Sequence, residues 1–262
     1  MKIINAGYEI LDSIPVGALT KEYAPGVTNT DFVEGLPILQ KLERIARVCY
    51  QSGENTTDDG QSAMRMMEML IRNGHEAMLE HEKLTVLFTC DRGVSHELVR
   101  HRIASFAQES TRYCNYSKGK FGNEITVIRP CFLENGSRAF NDWSRTMVEC
   151  ENRYFDMLEA GSKPEEARDV LPTSLKTEVV VTANLREWRH ILKLRCAKDA
   201  HPQMKEIMIP LLIELKRRIP VLFADIWADW DWWKEYKGAD AIEVFGNMVH
   251  LFYKEGAKHE WQ

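Results

Sequence analysis

Charged and polar side chains dominate residues 100–113, whose sequence is RHRIASFAQESTRY. Arg100, His101 and Arg102 are consecutive, so no single face of a helix or a strand can carry all three side chains. They require solvent, or anionic groups on several sides. Hydroxyl groups, an amide and Arg112 follow, and forked guanidinium donors beside amides suit a phosphate and the edge of a pyrimidine base. An exposed basic turn is the alternative, although apolar residues before and within the segment favour partial burial.

A predicted helix over residues 185–198 contains a second position that could do chemistry. A rotation of about 100° per residue gives this helix an apolar and a basic side. The apolar side is predicted to carry Leu185, Trp188, Ile191, Leu192 and Leu194, and the basic side Arg186, Arg189, His190 and Lys193. Arg195 falls in the middle of the apolar side, where a guanidinium needs a carboxylate, a phosphate or a polarised ligand because it cannot lose its proton. A structural ion pair is the alternative to a ligand, while Arg186 and His190, four residues apart, could contact one ligand together.

Helices and a few strands alternate irregularly around these positions. We predict strands over residues 2–14, 83–90, 124–128 and 178–182, and helices over 36–50, 58–72, 94–103, 137–159, 164–171, 185–198 and 202–218. A turn is predicted at residues 91–93, and a capping box at 162–165 that opens the helix ended by Pro172. Because no regular βαβ units occur, the pattern predicts an α+β fold, with a mixed or antiparallel sheet flanked by helices.

The composition is that of a soluble globular protein. The chain has 262 residues, of which 44% are hydrophobic and 28% charged. No linker-like stretch divides it, so we predict a single domain over residues 1–262, with 219–262 a Trp-rich C-terminal extension whose aromatic side chains cover a core or an oligomer surface. The formal net charge of −5 opposes a general nucleic-acid binder but allows a local basic pocket for a phosphorylated small molecule.

Several common functional motifs do not occur. The six cysteines form no CxxC pair, and His75, Glu76 and His81 do not have HExxH spacing, so no metal site is predicted. There is no GxGxxG, P-loop or GxSxG motif. Cys114 and Cys196 lie near basic residues, but neither has a base partner at informative spacing. Without a signal peptide or an apolar membrane span, the sequence predicts a cytoplasmic protein with reduced thiols.

Four ordered motifs resemble those of the flavin-dependent thymidylate synthases, the ThyX family. The first is the RHR-x7-S signature, which begins at Arg100 and ends at Ser110. The segment GHE…EH over residues 74–81 precedes it, and AR-x-x-LP follows at 167–172. The fourth motif is N-x-R at 184–186, with His190 and the Leu-Arg pair at 194–195. The motifs follow the family's order over about residues 36–218.

This resemblance implies a reaction and its cofactors. The chain would methylate dUMP to dTMP, with 5,10-methylenetetrahydrofolate as carbon donor. FAD reduced by NADPH would supply the hydride, since hydride chemistry belongs to the flavin. The family also implies a homotetramer with active sites between subunits, and no cysteine nucleophile.

The resemblance further implies roles for individual residues. The dUMP ligands would be Glu97, Arg100, Gln108, Ser110, Arg112, Arg168 and Arg195, and the FAD ligands His75, Arg100, His101, Arg102, Gln108, Asn184, Arg186 and His190. Arg195 would be catalytic, because its fixed charge against the uracil ring would stabilise developing negative charge. Ser110 would bind the nucleotide and would not attack it. Glu97 and Gln108 depart from the family pattern, in which many members carry Gln at the first position and Glu at the second.

Two other interpretations stay open. A non-catalytic sensor of dUMP or FAD would bind these ligands without turnover and would tolerate Arg195→Ala. An RNA-binding protein would use residues 100–112, which the net charge of −5 opposes.

Overall fold

The computed structural model describes residues 1–12, 14, 16–19 and 31–237. The strands are β1 (Lys2–Ile4), β2 (Gly7–Ile10), β3 (Val16–Leu19), β4 (Asp31–Glu34), β5 (Lys83–Asp91), β6 (Ala104–Gln108), β7 (Thr126–Ile128) and β8 (Lys176–Asn184). The α-helices are α1 (Leu36–Val48), α2 (Gln61–Arg72), α3 (Arg92–Leu98), α4 (Arg138–Glu159), α5 (Pro164–Ala167), α6 (Leu185–Arg195), α7 (Pro202–Arg218), α8 (Pro220–Phe223) and α9 (Trp230–Lys237). Short 3-10 helices cover Gly53–Asn55, Glu76–His81, Gly119–Phe121 and Arg168–Val170. This arrangement confirms the α+β class.

The fold comprises two compact units. Unit one contains Met1–Leu11, Thr85–Ala183 and His201–Ile207. Unit two contains the described residues within Asp12–Leu84, Asn184–Ala200 and Met208–Gln262. The organisation of residues 1–262 as one catalytic domain with an extension stays a prediction, and residues 238–262 of that extension lie outside the described part of the chain.

A four-stranded sheet in the order β2-β5-β8-β6 organises unit one. β2 pairs antiparallel with β5, and β6 pairs antiparallel with β8 with Gln108 opposite Val179. Alternate residues of β5 are buried, as expected for a strand with one face on a core. The sequence analysis does not predict strand β6, because the charged run that precedes it obscures the short alternating pattern of residues 104–108.

Helix α4 covers a separate apolar cluster of unit one. Met147 and Tyr154 of α4 pack with Val127, Leu175 and Tyr116. Tyr154 and Tyr116 meet edge to face, with ring centroids 5.7 Å apart. This cluster supports the segments that lead into and out of the AR-x-x-LP motif.

Helices α1 and α2 pack together in unit two, and a glycine makes their approach possible. Gly60 precedes α2 with φ +78, and a Cβ atom there would lie 2.6 Å from Cδ1 of Leu36. Both the left-handed backbone and the close contact therefore require glycine. Between the helices, Glu43 is buried and accepts hydrogen bonds from Arg47 and Ser62.

Several predicted element boundaries are wrong. The strand predicted over residues 2–14 is two strands, because β1 pairs parallel with β7 whereas β2 pairs antiparallel with β5. Residues 91–93 are no turn, because the Asp91 Oδ1 atom accepts from the Val94 amide at 2.8 Å and caps α3, which then begins at Arg92. That helix ends at Leu98, earlier than predicted. Helix α5 begins at Pro164 as predicted, but its capping box lies one residue later than the predicted 162–165: the N-cap is Lys163, whose amide donates to Glu166 Oε2 at 2.8 Å. The predicted bounds of α7 are confirmed.

None of the helices in the described residues has the length and apolarity needed to cross a membrane.

Candidate functional site

Gln108 ends β6 and holds it to neighbouring elements of unit one. Its amide nitrogen donates to Ser95 Oγ of α3 at 2.9 Å and to Thr177 Oγ1 of β8 at 3.2 Å. The side chain is half-buried. Both amide hydrogens therefore serve the fold, which leaves the carbonyl oxygen as the atom through which Gln108 could contact a ligand.

The next residue, Glu109, fixes the start of the loop that carries Ser110. Its two carboxylate oxygens accept from the Tyr116 hydroxyl at 3.2 Å and from Lys176 Nζ at 3.1 Å. Its carbonyl accepts from Arg92 Nη2 at 3.1 Å. Burial and the adjacent Glu109 carboxylate raise the pKa of Tyr116. Sequence reasoning missed Glu109, since nothing in the local pattern shows that these three partners surround it.

Two predicted dUMP-binding segments meet in unit one. Arg168 Nη1 lies 3.5 Å from Thr111 Oγ1, although the two residues are 57 positions apart. Arg112 Nε lies 3.6 Å from Glu165, and the Arg112 amide donates to Ser110 Oγ at 3.3 Å. Both guanidinium groups are exposed. Exposed pairs such as Arg112–Glu165 are weak, so Arg112 could exchange this carboxylate for a phosphate.

The three consecutive basic residues lie in the turn between α3 and β6. Arg100 and Arg102 are exposed, whereas His101 between them is 6% exposed. This alternation agrees with the prediction that one helix or strand face cannot carry all three. Glu97 lies one turn earlier on α3 and is half-buried.

The predicted residues of unit two lie on α6 and on the GHE…EH segment. Asn184 caps α6, with its Oδ1 atom accepting from the Glu187 amide at 2.8 Å. Arg186 and His190 are exposed, and Arg186 Nη1 lies 2.5 Å from Glu80 Oε1. His75 is exposed and immediately precedes the 3-10 helix Glu76–His81. Two motifs that are distant in sequence are thus neighbours in unit two.

The predicted faces of α6 are wrong at two positions. Arg189 was assigned to the basic face, but it is 1% exposed, whereas the predicted apolar residue Leu194 is 50% exposed. At about 100° per residue, Leu194 lies on the side of the helix opposite Leu185, whereas Arg189 lies on the same side as Leu185. Arg195 is half-buried at the last residue of α6. The deeply buried guanidinium of this helix therefore belongs to Arg189, which is paired with Glu76 and Asp225.

Cys196, one of the two cysteines considered from sequence, is not an activated nucleophile. Burial raises the pKa of the Cys196 thiol well above its usual range. Burial likewise raises the pKa of Cys90 to about 12. Because the thiolate is the nucleophilic form, Cys196 is unsuited to covalent catalysis.

Sequence comparison assigns the chain to a family. The family described as thymidylate synthase complementing protein matches residues 38–221, and the chain belongs to it. The flavin-dependent thymidylate synthase of Pyrococcus furiosus is 35% identical over 146 residues, which are 55% of this chain and 59% of that protein.

Other relatives align over different lengths. The enzyme of the same name from Thermococcus onnurineus is 37% identical over 145 residues, which are 55% of this chain and 58% of the relative. The one from Corynebacterium aurimucosum is 31% identical over 225 residues, which are 79% of this chain and 88% of the relative. The chain thus spans under two thirds of the first two relatives and most of the third.

Proposed function

We propose that the chain is a flavin-dependent thymidylate synthase, a methyltransferase that converts dUMP to dTMP. Its carbon donor is 5,10-methylenetetrahydrofolate, and NADPH reduces its FAD. The observation that carries this proposal is the approach of Arg168 to the loop of Ser110 and Arg112 in a member of this family.

The dUMP phosphate binds to the exposed pair Arg112 and Arg168. A phosphate offers several anionic oxygens, and two forked guanidinium groups satisfy more of them than one can. Ser110 adds a hydroxyl donor, and Arg100 adds a third positive charge. Glu97 and the carbonyl oxygen of Gln108 are acceptors suited to the N3–H of uracil.

The remaining basic groups hold FAD, which supplies hydride transfer when bound. The donor set fits that cofactor, because the exposed side chains of Arg100, Arg102 and Arg186 can donate to its pyrophosphate. The proposed ligands are His75, Arg100, His101, Arg102, Gln108, Asn184, Arg186 and His190. Since the Asn184 oxygen caps α6, this residue contributes its amide N–H groups.

Arg195 stabilises negative charge on the uracil ring. Its guanidinium keeps its proton throughout the reaction. Half-burial at the end of α6 lowers the local dielectric, so the same charge acts more strongly than it would in water.

The proposal includes a cytoplasmic homotetramer with active sites between subunits. Ile103 and Tyr113 flank the basic motif and are 68% and 78% exposed, as expected where a second copy covers apolar side chains. The six cysteines are free thiols, which suits a reducing compartment.

An absorbance titration tests the function. The purified protein should show flavin bands near ~375 and ~450 nm that shift when dUMP is added, and turnover should require methylenetetrahydrofolate and NADPH. A protein that stays colourless after incubation with FAD contradicts the proposal. Ligand binding without turnover would identify a sensor instead.

A further inference from the structure

Arg189 is a buried cation on the helix that carries several proposed ligand-binding groups. It has a relative exposure of 1%. Arg186 and His190, on other sides of α6, are exposed. The direction in which those two side chains point depends on how α6 is held in unit two.

The Arg189 guanidinium uses all five of its N–H groups. Nε and Nη2 donate to Glu76 Oε1 at 3.2 and 3.0 Å. Nη1 and Nη2 donate to the two carboxylate oxygens of Asp225, each at 2.7 Å, and Nη1 also donates to the Leu222 carbonyl. Burial lowers the pKa of Arg189, but Asp225 and Glu76 more than offset this effect and raise it. The side chain is therefore charged and paired with two carboxylates.

Glu76 connects this pair to the proposed flavin site, because it directly follows His75. The same carboxylate oxygen lies 3.6 Å from Lys193 Nζ. Arg186 and Glu80 form a further link between α6 and the GHE…EH segment, but both are about half exposed. Exposed pairs hold geometry weakly, whereas a buried fork between two carboxylates resists rotation and displacement.

We propose that Arg189 is a positioning residue for flavin binding. Through Glu76 it sets the place of His75 relative to α6, and through Asp225 it sets the rotation of α6. His75, Arg186 and His190 are then presented in fixed directions before the cofactor binds. This inference rests on the proposed function.

The experiment compares two Arg–Glu pairs of unit two in the full chain, each with a buried arginine. Glu76→Gln keeps the shape of the side chain and removes the charge that faces Arg189. Glu43→Gln does the same to the pair between α1 and α2, where Arg47 Nε and Nη2 donate to Glu43 Oε1 at 2.8 and 2.6 Å. Glu43 is 2% exposed and contacts no proposed ligand-binding residue through these bonds. The readouts are the FAD dissociation constant, the visible circular dichroism of bound FAD, and Tm.

We expect both substitutions to lower Tm. Glu76→Gln should also weaken FAD binding at least about 10-fold, because misplacement of binding groups by ~1 Å is costly, and should change the visible circular dichroism. Glu43→Gln should leave the FAD dissociation constant within about 2-fold of the parent value, a difference of under ~0.5 kcal/mol.

Arg189→Lys provides a second test if Glu76→Gln does not fold. Lysine keeps the charge but loses the fork, so FAD binding should fall between that of the parent and that of Arg189→Met. Two outcomes would overturn this inference alone. One is an equal change of the FAD dissociation constant in Glu76→Gln and Glu43→Gln, and the other is parental FAD affinity in both Glu76→Gln and Arg189→Lys. A parent protein that binds no FAD would overturn the proposed function as well.

Discussion

Arg195 combines a permanent charge with a half-buried position at the end of α6. We expect Arg195→Ala to keep FAD bound while lowering kcat by about 10²–10³, the usual cost of losing a group that stabilises developing charge. Single-turnover kinetics measure this, with the flavin spectrum as a check on cofactor content. Lys198→Ala removes an exposed cation nearby and is the control. Parental rates in Arg195→Ala would remove its catalytic role.

Arg168 differs from Arg195 because a phosphate is bound similarly in the ground and transition states. Arg168→Ala should raise the dUMP dissociation constant by about 10- to 100-fold, the value of one charged hydrogen bond, with little change in kcat. Calorimetric titration with dUMP measures the constant. Arg138→Ala is the matched control, since Arg138 is a highly exposed arginine on α4. Unchanged dUMP affinity in Arg168→Ala would refute this phosphate contact.

At the scale of elements, Asp91 determines where α3 begins and therefore where the basic turn follows it. Its second oxygen accepts from Gln203 Nε2 at 2.6 Å. We expect Asp91→Ala to lower the free energy of unfolding by about 1–2 kcal/mol and to weaken dUMP binding. Ser137→Ala removes the cap of α4, where Ser137 Oγ accepts from the Phe140 amide at 3.1 Å. In urea unfolding, Ser137→Ala should lose a similar free energy of unfolding but keep the dUMP affinity of the parent. If both variants lose the same dUMP affinity, the effect of Asp91→Ala on binding does not come from the position of α3.

Helix α7 carries a buried lysine that makes stability depend on pH. Burial lowers the pKa of Lys216 to about 8 from an ordinary 10.5, although Asp225 and Cys196 partly oppose this. The unfolded chain therefore binds more protons between pH 8 and 10.5, so this group makes the folded state more stable as pH rises through that window.

Lys216→Met removes this pH dependence. Relative to this variant, the free energy of unfolding of the parent should rise by roughly 1 kcal/mol per pH unit above pH 8. Urea unfolding at several pH values between 7 and 10 measures the difference. The control is Lys234→Met, at an exposed position on α9, whose free energy of unfolding should change with pH as that of the parent does. A constant difference between Lys216→Met and the parent would show that Lys216 does not titrate in this range.

At the scale of the whole molecule, the proposed tetramer has a mass of about 120 kDa, four times 30.3 kDa. Ile103→Asp places a charge on an apolar side chain that is 68% exposed in the single chain. If a second copy covers this position, the burial cost of an unpaired carboxylate should shift the assembly to smaller species. Light scattering after size-exclusion chromatography measures the mass of the assembly. The control is Leu11→Asp, which places the same charge on an apolar side chain 47% exposed and outside the basic motif. A catalytically active parent monomer would refute the assembly.

Much of the secondary structure follows from local patterns in the sequence. The cores of α1, α2 and α7, and most of β5, were predictable because three-to-four and two-residue periodicities arise within one element. The motif residues were also recognisable from sequence, since their types and spacing do not require knowledge of the fold. The short strand β6 was missed, because the adjacent charges mask its alternation.

Tertiary structure decided which of these residues are neighbours and which charges are buried. The approach of Arg168 to the loop of Arg112 joins positions far apart in sequence, so no local pattern contains it. The burial of Arg189 rather than Leu194 depends on which side of α6 packs against Glu76 and Asp225. A helix sequence limits the possible apolar faces, but long-range contacts supply the carboxylates that allow a guanidinium to be buried.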